Sequence, residues 1–119
     1  MTNQESYSTE TIDSTLVVQF TQSSLVFPDQ LRTIEVDLNS FDDQHLLRSV
    51  VFDFTGVEHI SSSVWGETIR LNKLLRESER QLRLCNLNNN LQEALEAMKL
   101  EEILVVRATR EDALADLNN

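Results

Sequence analysis

The sequence contains one cysteine, one proline and two glycines in 119 residues. The single thiol, Cys85, excludes an internal disulfide and any zinc site built from several thiolates, and it suits a reducing compartment. His45 has no companion residue at the spacing that a metal site needs. We therefore expect neither a bound metal nor a cofactor.

Basic residues are also scarce, with 10 Lys plus Arg against 20 Asp plus Glu and a formal net charge of −10. Residues 1–63 hold half of the acids but only two arginines, Arg32 and Arg48. Such a surface repels phosphate groups, which argues against nucleic-acid binding and against adsorption to anionic membranes. No apolar run approaches the roughly 20 residues of a membrane helix, and the polar start lacks the pattern of a secretory signal. We expect a cytoplasmic protein.

The residues that are present are typical of one soluble globular domain. Apolar residues make up 40% of the chain and charged residues 25%, which are ordinary proportions for such a domain. The length also fits a single domain. Residues 1–13 are polar apart from Tyr7 and Ile12, and we interpret them as a flexible lead before a domain over residues 14–119.

Short apolar runs alternate with segments of helical periodicity along the rest of the chain. The predicted strands cover residues 15–20, 25–27, 49–54, 81–87 and 103–106, and the predicted helices cover residues 29–42, 61–78, 91–98 and 109–117. Strands and helices that alternate over short connections indicate βαβ units. The expected fold class is therefore α/β, with a mixed, mostly parallel sheet of four or five strands packed with about four helices. The 49–54 run is apolar almost throughout, which predicts a central strand.

Polar residues predict where the later helices begin. Asn90 and Glu93 have the spacing of a capping pair for the third helix. Thr109 and Asp112 have the same spacing at the start of the last helix.

The loop that follows the central strand is the expected place for a functional site. The carboxyl ends of parallel strands converge with helix N-termini at one edge of a sheet. This loop ends in three consecutive serines, Ser61, Ser62 and Ser63. Their hydroxyls can cap the amides of the following helix. Alternatively, one of them can accept a phosphoryl group, which the helix dipole would stabilise.

Four other residues need an interpretation. Asp53 ends the central strand as the phosphoryl-accepting aspartate of a receiver domain does, but the acidic pair and the lysine which that chemistry requires are missing. We expect Asp53 to accept hydrogen bonds from loop amides instead. His59 lacks the flanking glycines of a nucleophile elbow and is interpreted as a partly exposed loop residue. Trp65 either anchors a partner or packs its helix on the sheet, and Cys85 is expected in the core.

The stretch VVFDFTGVEHISSSVWGETIRL, residues 50–71, resembles the STAS domain, the family of sulfate-transporter cytoplasmic modules and bacterial anti-sigma factor antagonists. The resemblance extends over residues 15–117 and is strongest after Ser49. The family pattern has a strand of the form VVLDLSGV, a turn rich in serine and glycine, a Leu-rich helix, and two further pairs of strand and helix. The positions that match this pattern are Asp53, Gly56, Val57, Ile60, Ser62, Ser63, Gly66, Leu71, Leu82, Leu84, Leu91, Leu95, Leu100, Ala113 and Leu114.

The resemblance implies a protein-interaction module and not an enzyme. In this family a serine is phosphorylated by a partner anti-sigma factor, an ATP-binding serine protein kinase, and the unphosphorylated antagonist binds that kinase and releases the sigma factor. Ser62 stands at the phosphoacceptor position, whereas Ser61 and Val64 replace the usual Asp and Gly, so Ser61 and Ser63 remain alternative acceptors. The residues that we expect to bind the partner are Glu58, His59, Ser61, Ser62, Ser63 and Trp65.

Two other functions remain open. The chain could be a constitutive STAS scaffold subunit of a larger signalling assembly, in which the serines only cap a helix. It could also be a STAS module that binds a small ligand or a nucleotide in the crevice at the strand ends, although no Gly-rich phosphate loop supports this alternative.

Overall fold

One main sheet of five strands organises the computed structural model, which describes residues 6–45 and 47–117, without the side chains of residues 41–45. The strands of the chain are β1 (Tyr7–Ile12), β2 (Thr15–Phe20), β3 (Ser24–Leu25), β4 (Ser49–Asp53), β5 (His59–Ile60), β6 (Gln81–Cys85) and β7 (Val105–Arg107). The helices are α1 (Asp29–His45), α2 (Ser62–Glu77), α3 (Asn89–Ala97) and α4 (Arg110–Leu117), with a 3-10 turn at Leu100–Glu102. The sheet order is β1-β2-β4-β6-β7, which confirms the α/β prediction.

Strand β4 lies at the centre of the sheet, as its apolar run predicts. It pairs in parallel with β2 on one side and β6 on the other, and all five of its residues are buried. Strand β7 continues the parallel arrangement beyond β6, and only β1 runs antiparallel to its neighbour β2. The carboxyl ends of the four parallel strands therefore meet at one edge.

Helices cover both faces of the sheet. Successive side chains of a strand point to opposite faces, so each strand contributes to two cores. The larger core joins one face to α1, α2 and α3, and it includes Leu16, Val18, Val50, Phe52, Leu82, Leu84, Ile34, Leu71 and Leu95. The smaller core joins the other face to α4, and its buried residues are Val17, Val51, Cys85 and Ala113. The prediction that Cys85 belongs to the core is confirmed.

The structure differs from the sequence interpretation at the start of the chain. Tyr7–Ile12 pairs with β2 along its whole length, so the interpretation of residues 1–13 as a flexible lead is wrong for this stretch. Only Tyr7 of β1 is buried, and an exposed edge strand of this kind has no alternating apolar pattern. The Tyr7 hydroxyl donates to Asp37 Oδ2 at 2.7 Å, which ties β1 to α1. Residues 1–5 of the predicted lead lie outside the described residues.

Two local predictions, the cap of α3 and the start of the last strand, are wrong, and the predicted cap of α4 is confirmed. Helix α3 is capped by Asn88 and not by Asn90, because the Asn88 side chain accepts the Leu91 amide at 2.8 Å. The prediction for the last helix is confirmed, since Thr109 Oγ1 accepts the Asp112 amide at 3.1 Å. Ile103, predicted to begin an apolar strand, instead follows the 3-10 turn and is 45% exposed.

Candidate functional site

The loop that leaves β4 is held at the sheet edge by a second, two-stranded sheet. Strands β3 and β5 pair in parallel, with Leu25 opposite Ile60. The Ser61 amide then donates to the Leu25 carbonyl at 2.9 Å. This pairing brings the serines at the start of α2 beside the loop that leads into α1, a neighbour that the sequence did not indicate.

The structure gives the three serines different roles. Ser61 is the N-cap of α2: its Oγ accepts the Val64 amide at 3.2 Å and donates to the Val26 carbonyl at 2.6 Å. The capping alternative therefore holds for Ser61. Ser62 and Ser63 are the first two residues of the helix, both are exposed, and neither hydroxyl is hydrogen-bonded to any residue that the structure describes. Both side chains are therefore accessible from solvent.

The backbone at this helix start favours a negative charge. The first amides of an α-helix have no acceptor within the helix, and the helix dipole adds partial positive charge there. The Ser61 hydroxyl oxygen accepts the Val64 amide. The two amides before it belong to Ser62 and Ser63, the first residues of α2. An anionic group on either hydroxyl would lie within reach of this positive end.

An apolar side chain is exposed beside the serines. Phe27 is 67% exposed, and its neighbour Val26 is the residue that receives the Ser61 hydroxyl. The backbone here is fixed, because Gln30 Oε1 accepts the amides of Val26 and Phe27 at 2.8 and 2.9 Å. The sequence interpretation assigned both residues to a short strand and therefore missed this surface. Pro28, which stops that run, was the only signal that the two side chains lie in a loop.

The remaining partner-binding candidates divide into exposed and buried residues. Glu58 and His59 are exposed, and both backbone amides donate to the Ser23 carbonyl. Trp65 is only 2% exposed and packs against Phe54, with ring centroids 6.4 Å apart. The assignment of Trp65 to the partner-binding set is therefore wrong, because its helix turns this ring inward onto the sheet.

Asp53 is the centre of a buried polar cluster at the same edge. Its Oδ1 accepts hydrogen bonds from the amide and hydroxyl of Thr55 at 3.0 and 2.7 Å and from Asn86 Nδ2 at 3.0 Å. Its Oδ2 accepts Arg110 Nε at 2.9 Å. The bond from the Thr55 amide confirms the prediction that Asp53 accepts a hydrogen bond from a loop amide. Its other two partners, Asn86 directly after β6 and Arg110 at the start of α4, were not predicted.

These bonds decide the ionisation of Asp53. Burial of the carboxyl by itself disfavours its charged form, but the hydrogen bonds from Thr55, Asn86 and Arg110 outweigh this effect and lower the pKa of Asp53 from its ordinary value. Arg110 also bonds Gln19 Oε1 at 2.9 Å and Glu10 Oε1 at 3.2 Å. The cluster thus joins the loop after β4 to α4 and to strands β1 and β2, which contain Glu10 and Gln19.

The described part of the chain shows no group of three or more His, Cys, Asp and Glu side chains that could hold a metal ion. Cys85 is buried, and that burial raises the pKa of its thiol to about 12. Among residues 6–45 and 47–117, no helix has the length and apolar character needed to cross a bilayer.

The family model of the STAS domain matches residues 6–113. The chain therefore belongs to the STAS domain family. No curated protein sequence matches it.

Solved structures share this fold at low sequence identity. The candidate anti-sigma factor antagonist tm1081 from Thermotoga maritima has a TM-score of 0.76 at 13% identity, over 95% of each chain. The Bacillus cell fate determinant SpoIIAA in its phosphorylated form has a TM-score of 0.67 at 16% identity, over 93% of this chain and 98% of that one. The murine anion transporter Slc26a9 has a TM-score of 0.73 at 14% identity, over 89% of this chain and 18% of the transporter. Bacterial antagonists and a transporter domain thus have the same architecture.

Proposed function

We propose that this STAS domain is an anti-sigma factor antagonist-like interaction module of the cytoplasm, whose binding to a serine kinase is switched by phosphorylation of Ser62. The observation that carries the proposal is the exposed Ser62 hydroxyl at the start of α2, next to Ser61, which binds the carbonyl of Val26 beside exposed Phe27. An interaction module of this kind performs no catalysis of its own.

Ser62 is preferred over its two neighbours on local grounds. Ser61 Oγ accepts the Val64 amide and donates to the Val26 carbonyl, and phosphorylation would remove the proton that it donates to Val26. Ser62 and Ser63 are both exposed, and Ser62 is the one that matches the family's phosphoacceptor position. Ser63 remains the alternative acceptor.

Solved structures of one protein with this fold support the proposed phosphorylation of the present chain. SpoIIAA, an anti-sigma factor antagonist, has been solved in both phosphorylated and unphosphorylated forms. We extend this behaviour to the present chain on the basis of its exposed serine. The partner that we infer is an anti-sigma factor with ATP-dependent serine kinase activity.

The switch needs only a change of charge. A phosphoryl group adds about −1.5 to −2 charges, which the start of α2 stabilises by up to about 2 kcal/mol, so the fold is retained. In the complex the same dianion would have to be desolvated beside the apolar contact made by Phe27. That step costs several kcal/mol if the partner offers no cation, and roughly 3 kcal/mol already weakens binding more than a hundredfold.

Phosphate mapping tests the acceptor. The protein and its S62A and S63A variants are incubated with ATP and an extract of the native cell, and intact mass and fragment masses are measured. We expect one phosphoryl group on Ser62 in the wild type and in S63A, and none in S62A. Phosphate that persists in S62A would show that a residue other than Ser62 is the phosphoacceptor. Absence of phosphate from every variant would favour the constitutive scaffold.

Binding measurements test the switch itself. The S62D variant should bind the phosphorylating kinase at least about tenfold more weakly than the wild type, because a charge replaces a hydroxyl in the docking face. The S40D variant is the control, since Ser40 is exposed on α1 and adds the same charge elsewhere. Equal losses in the two variants would mean that net charge, and not the position of Ser62, controls binding.

A further inference from the structure

A second surface with unusual chemistry lies on the later turns of α2. Ile69, Asn72, Lys73, Arg76 and Glu77 line a groove of about 470 Å³, which Ile103 closes from the other side. The five helix positions follow the spacing of a single helix face. This face begins seven residues after Ser62, about 10 Å along the helix axis, so the groove is separate from the serines.

The apolar part of the groove comes from two isoleucines. Ile103 is 45% exposed because the 3-10 turn holds it outside β7, and Ile69 faces it from α2 while touching the main core. An aliphatic side chain placed between them would be removed from water on several sides. The groove also falls within the roughly 300 to 1,000 Å³ of ordinary binding pockets.

The charged part of the groove is basic on an otherwise acidic protein. Lys73 and Arg76 are exposed, and neither forms an ion pair within residues 6–45 and 47–117. Other arginines of the chain are already paired with carboxylates, namely Arg32, Arg70, Arg83, Arg107 and Arg110. Glu77 is the one acid among the six lining residues, whose formal charges sum to +1 where the whole chain carries −10. Acidic ligands are therefore favoured at this place.

A buried amide adds a polar contact to the groove. Asn72 is 6% exposed, and its Nδ2 donates to the Ile103 carbonyl at 3.4 Å. Asn72 lines the groove, and none of the described residues donates to its carboxamide oxygen, so this oxygen is left as an acceptor. A peptide backbone amide is a donor that fits such an oxygen, whereas a simple inorganic anion offers none.

We propose that this groove binds a short acidic segment of a partner protein that also carries an aliphatic side chain. The aliphatic group lies between Ile69 and Ile103, the acids face Lys73 and Arg76, and a backbone amide donates to Asn72. Charge complementarity selects this occupant over a basic segment or a second copy of this acidic chain. The inference goes beyond the proposed function and does not depend on Ser62.

The test uses a short fluorescein-labelled peptide rich in glutamate and leucine, titrated with the full chain. We expect saturable binding that weakens as salt is added, with amide shifts at Ile69, Lys73 and Ile103 in NMR spectra of the protein. The same peptide with lysine in place of glutamate should not bind. Absence of binding by the acidic peptide, or shifts confined to other surfaces, would overturn the proposal.

Two double variants separate the groove from general charge effects. K73E/R76E should weaken peptide binding at least about fivefold, because it reverses both groove cations. R32E/R48E changes the net charge by the same amount at exposed positions outside the groove and should bind within about twofold of the wild type. The S62D variant should also bind normally, which distinguishes this surface from the proposed docking face. Equal losses of peptide affinity in the two double variants would refute the proposal that the peptide binds in the groove.

Discussion

Replacing Asp53 by asparagine tests the cluster that fixes the loop before the serines. The Asp53 carboxylate is the acceptor in all four of these hydrogen bonds. The donors are the amide and hydroxyl of Thr55, Asn86 Nδ2 and Arg110 Nε. A carboxylate matches this set because both of its oxygens accept. Asparagine offers one oxygen, so its own amide group must face a donor inside the protein. We expect D53N to fold with reduced stability.

The size of this effect follows from the burial of the two charges. Asp53 is 3% exposed, and removing one partner of a fully buried ion pair costs about 3–5 kcal/mol. The Arg110 side chain is 26% exposed and keeps Glu10 and Gln19 as partners, so part of that cost is avoided. We therefore expect D53N to lose about 2–3 kcal/mol of unfolding free energy at neutral pH, measured by urea denaturation.

The pH dependence provides a second readout. The pKa of Asp53 is lowered in the folded protein, so its contribution to stability is fully present above the ordinary aspartate value of about 4. That contribution is lost as the pH falls through the lowered folded value, when the carboxyl takes up a proton. The stability gap between wild type and D53N should therefore shrink when urea denaturation is repeated in acid.

D29N is the matched control, because the exposed Asp29 pairs with the exposed Arg32 on the surface of α1. Its stability should stay within about 0.5 kcal/mol of the wild type. The reasoning about the cluster fails if D53N is as stable as D29N, or if the gap between wild type and D53N widens in acid.

Three further variants or measurements follow from the structure. S61A should lose about 1–2 kcal/mol in urea denaturation because it removes the α2 cap, whereas S62A should change stability by less than about 0.5 kcal/mol; similar values for the two would contradict the capping assignment. W65A should lose about 3–5 kcal/mol of unfolding free energy because Trp65 fills the core, and a loss near zero would contradict the burial of Trp65. Cys85 should react with a thiol reagent at least about a hundredfold more slowly in the folded than in the urea-unfolded protein, because burial raises the pKa of its thiol to about 12; equal rates would refute its burial.

Patterns within a few residues predicted much of the fold. The apolar run over residues 49–54 identified the central strand, because a strand covered on both faces needs apolar side chains at nearly every position. Thr109 identified the start of α4, because a cap acts on an amide three residues away. Among the serines, the sequence correctly included capping as one role but could not assign it, since three adjacent hydroxyls have the same local pattern. The position of Ser61 opposite the Val26 carbonyl separates it from the other two.

Other features depend on residues that are distant in the sequence. The edge strand β1 carries one buried side chain, so its pattern is that of a polar segment until β2 offers a partner. Asp53 and Arg110 are 57 positions apart, and only the packing of α4 on the sheet brings them together. A tryptophan is common both in cores and in interfaces, so the residue type alone does not place Trp65. The orientation of α2 on the sheet, which packs Trp65 against Phe54, places it in the core.

The sequence by itself determined the alternation of strands and helices, the acidic charge, and a run of hydroxyls at the start of a helix. These follow from periodicity and capping, which act over one or two turns of chain. Only the tertiary structure decided that Ser61 binds the Val26 carbonyl next to exposed Phe27, that Arg110 reaches Asp53, and that Ile103 meets the basic face of α2. Such contacts depend on which strands are neighbours and how each helix is rotated on the sheet, and no local pattern encodes either.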